Sequence, residues 1–305
     1  MEEIYDCAII GGGPAGITAG IYLKRAGKSV VLFEGEVFGG QMATTPKIEN
    51  YPSAGEISGF DLSLKMLNDL KRTKATIVEE KVIKLNLVGE VKTIKTPSGE
   101  YAAKSVILAM GVRPRQVDKR LEDRFLGRGI SYCATCDGNL YKNQPVCIIG
   151  GGNSAFSEAL YLANLASEVY LVHRSEKFRA EESLISSVKE NAKIKMMPNY
   201  VLDDLVGDQK VNSVKLKSVL NGETIEIRVE CVFVSIGRVA NSELVVGQVQ
   251  VDENGFIVSN DCLTSEAGVF VAGDIRTKAL RQIVTATSDG AISANLAVKY
   301  LNGIK

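Results

Sequence analysis

The chain has 305 residues, 45% of them hydrophobic, with 36 Lys plus Arg against 36 Asp plus Glu, which suits about two domains of ~150 residues. Zero net charge offers no basic field, so neither nucleic acid nor an acidic membrane surface is expected as a main partner. No apolar run approaches the ~18 residues of a membrane span, and MEEIYDC carries acids where a signal peptide carries bases, so a cytoplasmic protein without a targeting segment is expected.

Residues 5–16 read YDCAIIGGGPAG. A strand-like run feeds the turn Gly11-x-Gly13-x-x-Gly16, and a helical pattern follows with Ile17 and Ile21 on one face, ending at Gly27. SVVLFE (29–34) is predicted as the next strand, ending in Glu34. In this strand–turn–helix–strand frame the glycines let a pyrophosphate approach the backbone at a helix N-terminus. An acid about 20 residues on suits a ribose diol.

SVILAMG (105–111) is a further strand ending in small residues, and SYCATCDG (131–138) comes next. Residues 145–155, PVCIIGGGNSA, then repeat the first unit, with the turn Gly150-x-Gly152-x-x-Ala155 and Ala155, Ala159 and Leu162 at helical spacing. EVYLVHR (168–174) places His173 at the same offset from Gly150 that Glu34 has from Gly11. Here the strand ends in His173 and Arg174, with Arg179 close by. A solvated surface turn would look similar, but at this point of such a unit a basic cluster suits a 2′-phosphate, hence NADPH.

CVFVSIG (231–237) matches 105–111, and GVFVAGDIR (268–276) is a late strand carrying Gly273-Asp274 before a long helical pattern through residue 300. An early GxGxxG with a late Gly-Asp strand points to one discontinuous domain, 1–114 with 244–305, interrupted by a second nucleotide domain over 115–243.

Of six cysteines, Cys7, Cys147 and Cys231 lie in strand-like runs and read as small buried hydrophobes. Cys262 is uninformative. Cys133 and Cys136 form a CxxC, which can be half a zinc site, a staple or a redox pair. No second pair stands at usable spacing and the chain has one His, so no metal site is expected. An acid-terminated and a basic-terminated nucleotide unit suggest FAD and NADPH, and a CxxC disulfide accepts two electrons. The three parts compose a relay. Asp137, beside the second cysteine, could supply or remove the proton that thiol chemistry needs, or cap a following turn.

SYCATCDG between two GGG loops, with IENYP (48–52), HRxxxxR and a late AGD…RQ, resembles the low-molecular-weight thioredoxin reductases over essentially the whole chain. The resemblance implies an α/β homodimer of two Rossmann-like domains, the second inserted into the first, with hinges near 112–116 and 238–243. It implies FAD held by Gly11, Gly13, Pro14, Ala15, Gly16, Glu34, Gly40, Gln41 and Asn50, with Asp274, Arg281 and Gln282 reaching the ribityl and flavin end. NADPH would be held by Gly152, Asn153, Ser154, His173, Arg174 and Arg179. Cys136 would face the flavin, Cys133 would attack the disulfide of thioredoxin, and Asp137 would act as the acid.

One departure stands out. The family commonly carries two arginines after the His, whereas Arg174 is followed by Ser175, which weakens the 2′-phosphate site and leaves NADH or ferredoxin as alternative donors. Relatives without the CxxC, and peroxiredoxin-reducing flavoproteins with an added N-terminal domain, fit less well. So do a redox sensor that turns nothing over and an oxygen-using dithiol oxidase, because the second glycine loop is intact.

Overall fold

The first apolar run forms β1 (Ile4–Ile10), and its glycine turn leads into α1 (Pro14–Arg25) and β2 (Val30–Phe33). The computed structural model describes residues 4–45 and 47–303. β1 and β2 pair in parallel from Cys7–Val30 to Ile10–Phe33, as a crossover through a helix requires. α2 (Gly59–Arg72) is capped by Ser58, whose Oγ accepts from the Asp61 N–H, and buries Leu62, Leu67 and Leu70 along one face. β3 (Thr76–Val78), β4 (Lys84–Asn86), β5 (Lys92–Lys95), β6 (Glu100–Leu108) and β7 (Val112–Pro114) follow.

Next come α3 (Lys119–Phe125), β8 (Ile130–Ser131), α4 (Ala134–Asp137), β9 (Pro145–Ile149), α5 (Asn153–Ala163), β10 (Glu168–His173), α6 (Glu182–Glu190) and β11 (Ile194–Pro198). β12 (Tyr200–Val206), β13 (Ser213–Ser218), β14 (Thr224–Arg228), β15 (Cys231–Val234) and β16 (Arg238–Ala240) complete the middle of the chain, and β17 (Val269–Val271) and α7 (Ile283–Leu301) close it.

The chain forms two compact units. One runs to Arg113 and resumes at Val239, and the other spans Pro114–Arg238. In the first, the sheet order is β3-β2-β1-β6-β5-β4. The N-terminal half of β6 makes an antiparallel meander with β5 and β4, and its C-terminal half pairs in parallel with β17. Alternate residues feed two apolar layers. Ala8, Ile10, Val31 and Phe33 face one side with Val106 and Leu108. Cys7, Ile9, Val30 and Leu32 face the other, under Ile17 and Leu23 of α1 and Ala294 and Ala297 of α7. Strands covered on both faces read as unbroken apolar runs for this reason.

The second unit has a parallel sheet in the order β11-β10-β9-β15-β8 and a three-stranded antiparallel sheet β12-β13-β14. Leu205, Val214 and Leu216 of the small sheet share a core with Cys147, Val172 and Val232 of the large one. The sequence places the second boundary at 243/244, and the units divide instead at 238/239. Residues 239–243 are bound back to the first unit. Ala240 is buried in its core, the Asn241 amide donates to Met110 O at 2.8 Å, and the Arg113 guanidinium grips Asn241 and Glu243 at 2.6 Å each. Among the described residues no helix is long and apolar enough to cross a membrane.

Candidate functional site

In the first unit the Gly11 turn is built for close approach. Gly11 has φ +110°, and a Cβ there would strike the Ala109 carbonyl, so only glycine fits. A Cβ on Gly16 would strike the Gly11 carbonyl oxygen. Gly13 is the N-cap of α1 with Pro14 behind it, no side chain caps the helix, and a Cβ on Gly13 would meet open space. An uncapped N-terminal turn facing open space is a cradle for an anionic pyrophosphate. Glu34 closes it: its two carboxylate oxygens accept from the Gly12 N–H at 2.7 Å and the Glu36 N–H at 2.8 Å. This fixes the acid at the loop while leaving lone pairs for a diol.

Other predicted FAD residues gather in the same unit. Gly40 and Gln41 open a 3-10 turn (Gly40–Thr44), tied to the loop by a Gly39 N–H bond to Gly12 O at 2.8 Å, and the Gln41 amide donates to Val112 O. Asn50 Nδ2 donates to Gln282 Oε1 at 3.2 Å. Gln282 is also the N-cap of α7, in a reciprocal capping box with Thr285. Asp274 lies in the turn Gly273–Ile275, and a Cβ on Gly273 would come within 3.0 Å of Ala15 Cβ, so the Gly-Asp turn abuts the first turn of α1. These residues fit a dinucleotide with a flavin.

Arg281 is held within the Asp274 loop. Its Nε donates to Asp274 O, and its terminal nitrogens donate to Lys278 O and Arg276 O, at 3.2–3.3 Å. The guanidinium also lies 4.3 Å from the Phe256 ring centre. It staples the Asp274 loop, because that loop presents three outward carbonyls and Phe256 an aromatic face.

The sequence did not single out Asp289. It is 4% exposed and accepts from the Gly273 N–H at 3.1 Å, from Arg276 Nε at 3.0 Å and from Lys278 Nζ at 2.7 Å. It therefore anchors the turn that carries Asp274. Its signal was weak, since the three donors lie 11 to 16 residues away.

In the second unit Gly152 caps α5 without a side-chain cap and faces open space. The segment after β10 folds over this loop. The Arg179 N–H donates to Gly151 O at 2.8 Å, and Asn153 exchanges two bonds with Glu181, at 3.0 and 2.8 Å. Ser154 follows in the first turn of α5. The His173 ring fills the space a Cβ on Gly151 would take and lies 5.5 Å from the Phe178 ring. Burial, then the Arg174 charge, hold His173 below the usual imidazole range, so it is neutral at neutral pH. Arg174 and Arg179 are exposed at the mouth of the loop. Ser175 Oγ is turned onto Lys177 O at 3.1 Å, within its own turn. The residues fit a dinucleotide with an added phosphate, on two arginines.

The same unit carries the CxxC. Cys133 and Cys136 form a disulfide, Cys133 is the N-cap of α4, and Asp137 ends it. The Cys136 N–H points at Cys133 Sγ, 3.2 Å away. Asp137 is driven above the usual carboxylate range by burial, against a counteracting hydrogen bond from Ser131. Its Oδ1 is buried without a hydrogen bond. A half-desolvated carboxyl directly after a redox cysteine suits proton transfer. Cys7, Cys147, Cys231 and Cys262 are free and buried. Desolvation pushes Cys7 up to about 12 and raises Cys147, Cys231 and Cys262 as well, so they are inert.

Two open glycine loops and a disulfide with its own acid agree with a comparison of sequences. The family model for pyridine nucleotide-disulphide oxidoreductases matches residues 5–290. The chain belongs to this family. Among pyridine nucleotide-disulphide oxidoreductases it is similar to the thioredoxin reductase of Peptoclostridium acidaminophilum, with 40% identity over 99% of this chain and 98% of the relative. The thioredoxin reductase structure from Streptococcus pyogenes superposes with a TM-score of 0.93 at 36% identity, covering 99% of this chain and all of that one. A ferredoxin-flavin thioredoxin reductase from Clostridium acetobutylicum is 35% identical with a TM-score of 0.54, covering 99% of this chain and 100% of that one.

Proposed function

We propose that the protein is a thioredoxin-disulfide reductase that passes electrons from NADPH through FAD to the Cys133–Cys136 disulfide and on to thioredoxin. The observation that carries this reading is a CxxC disulfide with a buried acid in the same unit as an arginine-flanked glycine loop. The unit containing Gly11 holds FAD: backbone N–H groups from Gly13 to Gly16, with Pro14 and Ala15 shaping the turn, take the pyrophosphate, and Glu34 takes the ribose. Gly40, Gln41, Asn50, Asp274 and Gln282 line the flavin end, and Arg281 stiffens the Asp274 loop. Bound FAD supplies a two-electron carrier. The other unit takes NADPH on Gly152, Asn153 and Ser154, with Arg174 and Arg179 on the 2′-phosphate and neutral His173 shaping the floor.

The disulfide takes two electrons and two protons to become a dithiol. Cys136 is the sulfur that would take the electron pair from bound FAD, and Asp137 delivers one proton to its thiolate. Cys133 then attacks the thioredoxin disulfide and forms a mixed disulfide with it; Cys136 attacks Cys133 Sγ, re-forming the Cys133–Cys136 bond and expelling thioredoxin as its dithiol. The protein works as a cytoplasmic homodimer. NADPH is favoured over NADH because two guanidiniums flank the loop. A ferredoxin donor is the second reading, favoured by Ser175 and by the likeness to the ferredoxin-flavin enzyme.

An anaerobic titration of the yellow protein tests this. NADPH is expected to bleach the flavin with about two equivalents consumed, one for disulfide and one for flavin. Bleaching by dithionite alone sinks the NADPH assignment. Arg174→Ala is expected to raise the KM for NADPH about 10–100-fold, the scale of a lost charge-assisted bond, and to leave the KM for NADH nearly unchanged. Equal effects on both would remove Arg174 from the 2′-phosphate.

A further inference from the structure

Ser131 ends β8, held in the parallel sheet opposite Phe233 of β15, and is 4% exposed. Its hydroxyl touches three groups of the redox segment. Oγ donates to Asp137 Oδ2 at 2.7 Å, accepts the Cys133 N–H at 3.1 Å, and lies 3.4 Å from Cys133 O as an alternative acceptor. One hydroxyl thus links the nucleophile's backbone to the acid's carboxyl from a rigid strand.

From this geometry we propose that Ser131 is a positioning residue that holds Asp137 for proton transfer to the active-site sulfur and switches its own hydrogen bond with the acid's protonation. With Asp137 ionised, Ser131 donates to Oδ2. With Asp137 protonated, the carboxyl O–H donates to Ser131 Oγ, and the serine hydroxyl turns to Cys133 O. No group need move more than a hydroxyl rotation, so either state of the acid keeps its orientation. The inference rests on the reading of Asp137 as the acid.

The other titratable groups facing Asp137 are few. The turn after α4 contributes the Tyr141 phenol and β15 contributes the Cys231 thiol, each within Coulombic reach of Asp137. Desolvation raises both, so both stay neutral around neutral pH. From α5, Tyr161 and Leu162 pack against Gly138. Neither neighbour therefore adds a charge change beside Asp137 around neutral pH.

The Ser131 bond is stronger to the charged carboxylate than to the neutral carboxyl, so its loss raises the pKa of Asp137 further. An acid works protonated, so its limb is the fall of activity as pH rises through that pKa. In holoenzyme carrying Ser131→Ala, thioredoxin turnover is expected to drop about tenfold and this alkaline limb to move to higher pH, while Ser131→Thr restores both. Asp137→Asn should abolish the limb. Unchanged turnover and an unmoved limb in Ser131→Ala overturn the proposal. So does a drop with an unmoved limb that threonine fails to restore, since that marks a packing defect. If Asp137→Asn keeps the wild-type limb, the acid assignment itself falls, and the proposal with it.

Discussion

Cys136→Ser holoenzyme is expected to lose thioredoxin reduction by about 10⁴–10⁶-fold, the scale on which removal of a covalent catalytic group is felt. The substitution removes one sulfur atom from a half-buried pair whose Cα atoms are 5.3 Å apart. Serine can neither accept the electron pair as a disulfide nor displace the mixed disulfide on Cys133. The Gly11 loop lies in the other unit, so flavin content is expected to match wild type. Flavin bleaching by NADPH should persist with about one equivalent in place of two. Stopped-flow absorbance with and without thioredoxin checks both halves. Retained turnover would remove Cys133–Cys136 from the electron path.

Asp289→Ala is expected to lower stability by about 3–5 kcal/mol, since it leaves two cations buried without their counter-charge. Arg276 and Lys278 side chains are 15% and 7% exposed, too dry for water to replace the carboxylate. A midpoint fall on the order of 10 °C follows at about 2–4 °C per kcal/mol for a unit of this size. The same substitution frees the Gly273 N–H, so the turn carrying Asp274 loses its anchor and purified protein should contain less FAD. Circular-dichroism melts and the flavin-to-protein absorbance ratio measure the two effects. A melting point within 2 °C of wild type, where "about 10" is expected, would show that water or a repacked side chain satisfies both cations.

The parts most legible in the sequence were those fixed by local backbone chemistry. Gly11 and Gly16 must be glycine because a Cβ would strike a carbonyl, and that constraint appears as a spacing motif. The unbroken runs CAII, VVLF and VCII were legible because both sheet faces are covered. The antiparallel pieces were not. Lys84–Asn86, Lys92–Lys95 and Thr224–Arg228 are short and rich in charge, so alternation over three to five residues gives little signal. The contact of Arg281 with Phe256 was not legible, because the face it rests on lies far back in the chain. Ser131 stands two residues before Cys133, yet its contact with Asp137 depends on α4 turning the acid back toward β8, which spacing alone does not reveal. The boundary at 238/239 was hidden for a similar reason, since Asn241 and Glu243 are claimed by Arg113 across 128 and 130 residues.

The four inert thiols sort the cysteines of this protein into two chemical populations. A soft electrophile added to the reduced enzyme meets Cys133 and Cys136 as its accessible targets, because Cys7, Cys147, Cys231 and Cys262 are both walled off and held as thiols. Covalent labelling of the native enzyme thus becomes a count of working centres, and an alkylating inhibitor finds its selectivity already written into the burial of the other sulfurs.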